Sequence, residues 1–420
     1  MKMIKPENFR KAKELIIKRH ICLNTQEDDY DIIVSIPCLA DENIFETVES
    51  LKRAKKLNKK ICIFILLNEP EGCEKEMSQK NKMIYEYLKG EDILLKYVQN
   101  IPRKVAGAGF ARRLIMDEII CILERIRKLK NISDDIDFFR NKIIVSLDSD
   151  CTVSENYFEV LSNLLDFGVF LFSHRLSDIP EISEAGILWE LFLRYWRNSL
   201  RVCGYIYSFY PIGSLFAFRT SVYIMTGGMN TNKGGEDFYF LQKIVPYFSV
   251  SDIPAYVFPK AEPSGRTPFG TGMEIKKYIS GEKERITKTW KFEAFEKIGE
   301  TFLNPENGFF KDFLKENPKY LTQIQNLKSM SKDQKDFIEK FRKWLNLFKV
   351  LKMLRFSEKI LGRAQIKDEV AKLISRITKS TDINSHVNQL SNLEVLKKYD
   401  EENLQRIQNN ISVYQKIILC

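Results

Sequence analysis

The sequence is poor in the groups that build metal cages, disulfide frameworks and membrane spans. Its three histidines, His20, His174 and His386, stand far apart, which argues against a multi-histidine metal centre. The eight cysteines are scattered and form no C-x-x-C pair. Neither a zinc ribbon nor a disulfide scaffold is therefore expected, and a reducing compartment suits them. No apolar run reaches the roughly 18–20 residues that cross a bilayer. The best, 157–172, is broken by Glu159, Asn163 and Asp166. The opening MKMIKPENFRKAKEL carries no apolar core of secretory type, so a cytoplasmic location is expected. A dinucleotide fingerprint is missing too. The nearest approach, GAG at 107–109, lacks the third glycine of G-x-G-x-x-G and does not follow the first strand.

What is present is the balance of an ordinary globular chain: 420 residues, 44% hydrophobic and 29% charged. The net charge of +10 is uneven. Residues 271–420 hold 29 basic and 20 acidic side chains, whereas residues 1–270 hold 37 and 36. A near-neutral front part followed by a basic tail suggests two units with different tasks. We expect a short helix within 1–28, an α/β domain over 29–275 and a basic, mainly helical region over 276–420.

Continuous apolar runs at 31–36 (DIIVSI), 61–67 (ICIFILL) and 142–147 (KIIVSL) read as strands buried on both faces, with a further strand at 93–98. Pro37 is expected to end the first. Helical patterns lie between them, from about Asn43 and from Gly107 to Leu129. Alternation of this kind implies a mainly parallel sheet flanked by helices. Ligands of such sheets bind beyond the carboxyl ends of the strands. There the sequence places Pro37, Ala40 and Glu42, then Asn68 and Glu69, then Asp148-Ser149-Asp150.

Three motifs carry chemistry. Asp148 and Asp150 put two carboxylates at a strand end, a donor set for a hard divalent cation shared with a diphosphate. Gly234-Gly235-Glu236-Asp237 sets an acidic pair at a helix start, where the positive end of the helix dipole favours it, and offers Asp237 as a general base. Residues 104–113 (KVAGAGFARR) open a helix whose first turn carries Arg112 and Arg113, suited to an anionic ligand.

Taken in order, P-x-x-A-(D/E) after a strand, G-x-x-x-A-R, D-x-D after a strand and GG followed by G-E-D resemble the family 2 glycosyltransferases of the GT-A fold, over roughly residues 30–272. The resemblance implies an enzyme that transfers a sugar from a nucleotide-diphosphate donor, with inversion, to an acceptor hydroxyl. It assigns Mn2+ or Mg2+ to Asp148 and Asp150, donor binding to Asp148 with Pro37, Ala40, Glu42 and Asn68 or Glu69, and the base role to Asp237 with Glu236 beside it. Apart from the resemblance, Arg112, in the helix opened by Gly109, and Arg266 are donor-binding candidates because guanidinium forks match phosphate oxygens. The chain departs from the family in having Asn68-Glu69-Pro70 in place of an aspartate-rich segment after the second strand. It also lacks the Q-x-x-R-W motif of processive synthases, so transfer of a single sugar is expected. The acceptor would be a glycan, a lipid-linked precursor or a small molecule.

Around these motifs, the glycine-rich segment 263–272 suits a loop closing over the donor or a connector between domains. His174 reads as a strand-end residue or a late metal ligand. Trp189, Tyr195, Trp196, Tyr205, Tyr207 and Tyr210 read as core or as an acceptor platform. In the tail, Phe337, Phe341, Trp344, Leu345, Phe348 and Leu351 recur at helical spacing, with Lys340, Arg342, Lys343 and Lys349 off that face. Residues 337–351 thus suit internal packing, a second copy of the chain, or peripheral contact with an anionic membrane at its inner face. Residues 366–419 read as helical, with polar breaks near 381–385. A nucleic-acid partner is not expected. A non-catalytic carbohydrate- or nucleotide-binding module and a sugar-1-phosphate nucleotidyltransferase are the alternative functions. The latter would need a G-x-G-T-R loop where this chain has Pro37-Cys38-Leu39-Ala40-Asp41.

Overall fold

The computed structural model describes residues 5–20, 23, 28–56, 58–265, 267–378 and 391–404. The chain divides into two compact units, one of residues 1–175 and 211–273, the other of 176–210 and 274–420.

The first unit begins with α1 (Pro6–Arg19), β1 (Ile32–Cys38), α2 (Ile44–Arg53), β2 (Ile61–Pro70), α3 (Lys75–Leu88) and β3 (Leu94–Ile101). Then come α4 (Ala108–Leu129), α5 (Asp135–Arg140), β4 (Ile143–Ser146), β5 (Cys151–Val153) and β6 (Phe167–Phe172). After α6 (Pro180–Val202), which belongs to the second unit, β7 (Phe216–Arg219), α7 (Thr220–Met225), α8 (Glu236–Ile244) and β8 (Val250–Pro259) complete the sheet. The strand order is β3-β2-β1-β4-β7-β6-β8-β5. β7 and β5 pair antiparallel with their neighbours, and the remaining pairings are parallel. This is the mixed, mainly parallel sheet flanked by helices that the strand runs predict.

β1, β2 and β4 are mostly apolar because neighbours cover both faces, and Val34, Ile36, Phe64, Ile65, Leu66, Ile144 and Val145 are wholly buried. Pro37 does not end β1: the strand continues to Cys38, with Pro37 opposite Leu66. The residues of β1 that bond toward β4 are the odd ones, as Leu147 N–H donating to Ser35 C=O shows (3.1 Å). Pro37 follows in that series, but the β4 ladder has already stopped at Ser35 opposite Ser146. The missing N–H therefore costs no ladder bond.

In the second unit, α6 packs with helices that follow the sheet in sequence. These are α9 (Thr271–Ile279), which begins in the first unit, then α10 (Glu284–Thr287), α11 (Phe292–Leu303), α12 (Gly308–Glu316), α13 (Pro318–Ser329), α14 (Gln334–Trp344), α15 (Leu347–Leu361) and α16 (Ile366–Thr378). Two short strands, β9 (Lys288–Trp290) and β10 (Arg363–Gln365), pair antiparallel. The expected boundary at 275/276 falls inside α9, and 176–210 groups with the helical unit, because α6 buries its apolar side against α11 and α16.

Tyr195, Trp196, Tyr205 and Tyr210 are core of the helical unit, while Trp189 and Tyr207 are partly exposed. Tyr195 donates to the Trp290 carbonyl (2.8 Å), Tyr205 to the Leu345 carbonyl (2.8 Å) and Tyr210 to Asp400 (2.9 Å). The stripe at 337–351 is not one helix. It is split between α14 and α15, where Asn346 caps α15 by accepting from the Lys349 N–H. Phe337, Phe341 and Leu345 are buried, and Phe310 packs on both Phe341 and Trp344. Lys349 lies 4.6 Å from the Trp344 ring centre, and burial pulls its pKa down to about 8. Part of the apolar face is thus spent inside the unit, while Trp344, Phe348 and Leu351 stay partly exposed. Among the described residues no helix is long and apolar enough to cross a membrane. The expected polar breaks near 381–385 lie outside the described residues.

A buried ionic cluster ties the helix at 391–404 to α6. Asp400, fully buried, accepts from Arg194 and from Arg197 (2.6 Å), while Arg194 also pairs with Glu190 (2.8 Å). Removing one partner of such a cluster strands the others without solvent. Asp400→Asn is expected to cost about 3–5 kcal/mol in urea unfolding. Tryptophan fluorescence will report it, because all four tryptophans lie in this unit.

Candidate active site

The sheet changes its direction of winding between β1 and β4. From β1 the chain proceeds to β2 and β3 on one side, and β4 lies on the other. Adjacent parallel strands with diverging connections leave a crevice at their carboxyl ends. The turns after β1 and β4 meet there. Ser149 donates to Asp41 Oδ2 (2.9 Å), and the Thr47 hydroxyl of α2 donates to the Ser149 carbonyl (2.8 Å). Asp41 also accepts from the Asn43 side chain (2.7 Å). Ala40 holds a left-handed backbone (φ 49°), unusual without glycine, and its N–H donates to Asn81 of α3 (2.8 Å).

Arg112 joins the distant motifs. Its guanidinium donates to Asp148, to the Ser146 hydroxyl (2.8 Å) and, through Nε, to Glu236 (3.1 Å). The side chain is 6% exposed. Burial opposes its charge, but Asp148, Glu236 and Asp237 around it outweigh that and raise its pKa. Two glycines make room. A Cβ at Gly213 would sit 2.8 Å from the guanidinium carbon, and one at Gly109 would sit 2.3 Å from the Asn232 carbonyl oxygen.

Asp237 occupies the first turn of α8, entered through Gly235 in the left-handed region (φ 72°). Its carboxylate accepts from the Gly213 N–H (3.0 Å) and from the Phe238 N–H (2.7 Å). Burial, and then Glu236 beside it, push its pKa up to about 7 against the pull of Arg112. A carboxyl poised there can take a proton at neutral pH.

Ligand atoms of Asp148, Asp150 and Cys151 lie within 4.8 Å of one another. The two carboxylates are partly exposed and fit a hard divalent cation. Cys151 fits it poorly, because burial and the adjacent Asp150 and Asp148 hold its thiol well above the usual range and thus protonated. His174 is outside this group; it is buried at the end of β6 and bonds Thr271 (3.1 Å).

The other sequence candidates fall into two sets. Pro37, Ala40, Asp148, Gly109 and Arg112 gather at the crevice, but Arg112 points inward to its acceptors, so the expectation that it meets phosphate directly does not match its geometry. Arg113 instead stacks on Phe110 (5.9 Å). Asn68 and Glu69 are turned to internal duty: Asn68 donates to the Cys38 carbonyl (2.8 Å), and Glu69 accepts from Tyr97. Burial raises the Glu69 carboxyl, yet hydrogen bonds led by Tyr97 and Cys73 bring it below its usual range. Glu42 is exposed, 4.0 Å from Lys80. Arg266 lies outside the described residues.

Sequence reasoning passed over Asp41, Ser146, Ser149 and Gly213. Asp41 stands one residue before the chosen Glu42 and was within reach of the same motif. Gly213 carries no local signal, since its role depends on β7 lying beside β4. A separate cavity of about 330 Å³, lined by Asp31, Lys59, Asn141 and Arg219 among others, opens at the amino-terminal ends of β1 and β4, away from these groups.

No protein-family model matches the chain, and neither does any curated protein. Solved structures that the chain matches include S. aureus TarS residues 1–349, at 11% identity over 91% of each chain and a TM-score of 0.35. The same protein in complex with UDP-GlcNAc aligns at 13% identity, 91% of each chain and a TM-score of 0.34. The mannosyltransferase PcManGT of Pyrobaculum calidifontis, in complex with GDP-Man and Mn2+, aligns at 12% identity over 81% of this chain and 94% of its own, with a TM-score of 0.33. These superpositions are loose, and the functional reading rests on the side chains above.

Because the Arg112 guanidinium is fixed on three sides, it has little freedom to retreat from an added methyl group. Gly213→Ala is expected to lower stability by about 1–3 kcal/mol and to speed amide exchange in α4 and β7, read by hydrogen-exchange mass spectrometry.

Proposed function

We propose that the chain is an inverting, metal-dependent glycosyltransferase that moves one sugar from a nucleoside-diphosphate donor to an acceptor hydroxyl. The observation that carries this reading is the convergence on one guanidinium of the D-x-D turn and the Glu236-Asp237 pair. Three carboxylates, Asp148, Glu236 and Asp237, surround a single cation, Arg112. Asp150 adds a fourth at the same turn. The deficit of positive charge is what a divalent cation, Mn2+ or Mg2+, would fill, held by Asp148 and Asp150.

Such a cation supplies neutralisation of the charge that develops on the leaving diphosphate. The chain's own groups do the rest. Arg112 fixes Asp148 and Glu236, so the carboxylates stay in place with or without ligand. The Gly213 and Phe238 N–H groups each hold one oxygen of Asp237, and the ionised carboxylate accepts the proton of the acceptor hydroxyl through a remaining lone pair as the hydroxyl oxygen attacks the anomeric carbon. The attack comes from the side opposite the diphosphate, so the configuration inverts. Tyr97, Asn68 and Glu69 stabilise the turn beneath the nucleotide rather than reading its base.

Proton acceptance requires Asp237 to be ionised, so turnover is expected to rise with pH through about 7 and then level off. Arg112 lowers the Asp237 pKa, so Arg112→Gln is expected to move this acid limb to higher pH, read from kcat/KM profiles. Asp237→Asn should cost about 10²–10⁴ in kcat while leaving metal-dependent nucleoside-diphosphate binding intact. Asp150→Ala should lose both. A donor screen with Mn2+ and Mg2+ measures these outcomes; wild-type turnover in both variants would end the reading.

A further inference from the structure

Each residue of the D-S-D turn is held by a different element. The Asp148 side chain is held by Arg112 of α4, and Ser149 by Asp41 and Thr47. The third attachment, at Asp150, comes from a residue that no motif singles out. Arg175, just beyond β6, donates Nη2 to the Asp150 carbonyl (2.9 Å) and Nη1 to Glu46 of α2 (2.6 Å).

The surroundings of Arg175 fix it in this pose. It bridges to Lys260 across the ends of β6 and β8. Lys260 in turn donates to Asn43 at the start of α2 (3.1 Å) and pairs with Glu262 (3.0 Å). Both strand ends therefore reach the start of α2, at Glu46 and at Asn43. The Arg175 Nε is shut from solvent and has no hydrogen-bond acceptor among the described residues. Leaving a buried N–H unmet carries a cost. The guanidinium is thus held by its outer nitrogens, at some expense, where both the carbonyl and the carboxylate are reached.

We propose that Arg175 is a positioning residue for the metal-binding carboxylates. By tying the carbonyl of Asp150 to β6 and, through Glu46, to α2, it fixes the peptide from which the Asp150 side chain projects toward Asp148. Arg175 does not touch the cation. Its charge is already matched by Glu46, so its contribution is the fork geometry of the guanidinium. A lysine would keep the charge but offer one ammonium, which does not span the carbonyl and the carboxylate as the fork does.

This inference rests on the metal-dependent reading above, and one experiment separates the two. Mn2+ is titrated into the full-length protein, and free and bound ion are followed by electron paramagnetic resonance without any donor sugar. Arg175→Lys is expected to weaken Mn2+ binding about tenfold, as loss of an outer-shell partner does, and to broaden the bound spectrum. Its thermal unfolding midpoint should stay near that of the wild type. Glu46→Gln, on an exposed side chain, should weaken binding in the same direction but less, and serves equally if Arg175→Lys folds poorly. Wild-type affinity and spectrum in both variants would overturn the positioning role while leaving the metal site standing. A wild-type protein that binds no Mn2+ would remove the metal-dependent reading and this inference with it.

Discussion

A single buried guanidinium sets the terms for the sheet's functional end. Arg112 cannot lose its proton, and taking it out of water costs several kcal/mol unless its donors are matched. Asp148, Ser146 and Glu236 match them. That requirement fixes the distance between the turn after β4 and the start of α8, two places joined in the chain only through β5, β6, α6, β7 and α7. It also dictates glycine at positions 109 and 213, where any side chain would collide with backbone or with the guanidinium itself. The pairing is an electrostatic staple, and the crevice is its geometric by-product.

The staple does not balance its own charges, and Asp237 shows the result. With Arg112 shared among Asp148 and Glu236, too little positive charge remains to keep Asp237 ionised at its ordinary pKa, and burial adds to the shift. A carboxyl raised in this way stabilises the fold while protonated, and that contribution fades as pH rises through about 7. The protein therefore has less stability from this group at neutral and alkaline pH than at acid pH. A structural turn would gain by replacing Asp237 with an uncharged residue that accepts the same two backbone N–H groups.

How much of this could be read in the sequence follows from the range of each interaction. Strands covered on both faces announce themselves as unbroken apolar runs, so β1, β2 and β4 were legible, as was α4. β8 was not: its accessibility alternates, and Asp252, Pro254 and Pro259 break its apolar run. β5, three residues long, has no room for a period. The acidic motifs were legible because strand ends and helix starts are local features. Their common partner was misassigned, since a lone arginine beside a glycine-rich helix start looks alike whether it faces solvent or three acceptors. The apolar stripe at 337–351 was real, but Asn346 divided it between two helices, and its packing on Phe310 depends on a residue about 30 positions earlier.

The same reasoning explains why α6 escaped its apparent domain. Between β6 and β7 the sequence offers a long amphipathic helix, and a helix in that place would ordinarily cover the sheet. Arg194 and Arg197 forbid a simple apolar docking: both are fully buried and need anionic partners. Those partners, Asp400 and Glu190, are supplied within the helical unit, Asp400 from the helix at 391–404. Burying two guanidiniums is tolerable only beside carboxylates, so charge pairing, rather than adjacency in sequence, decides where α6 belongs. Both units thus rest on buried arginines matched by acids far away in the chain, at Arg112 with charge left over for chemistry and at Asp400 for assembly.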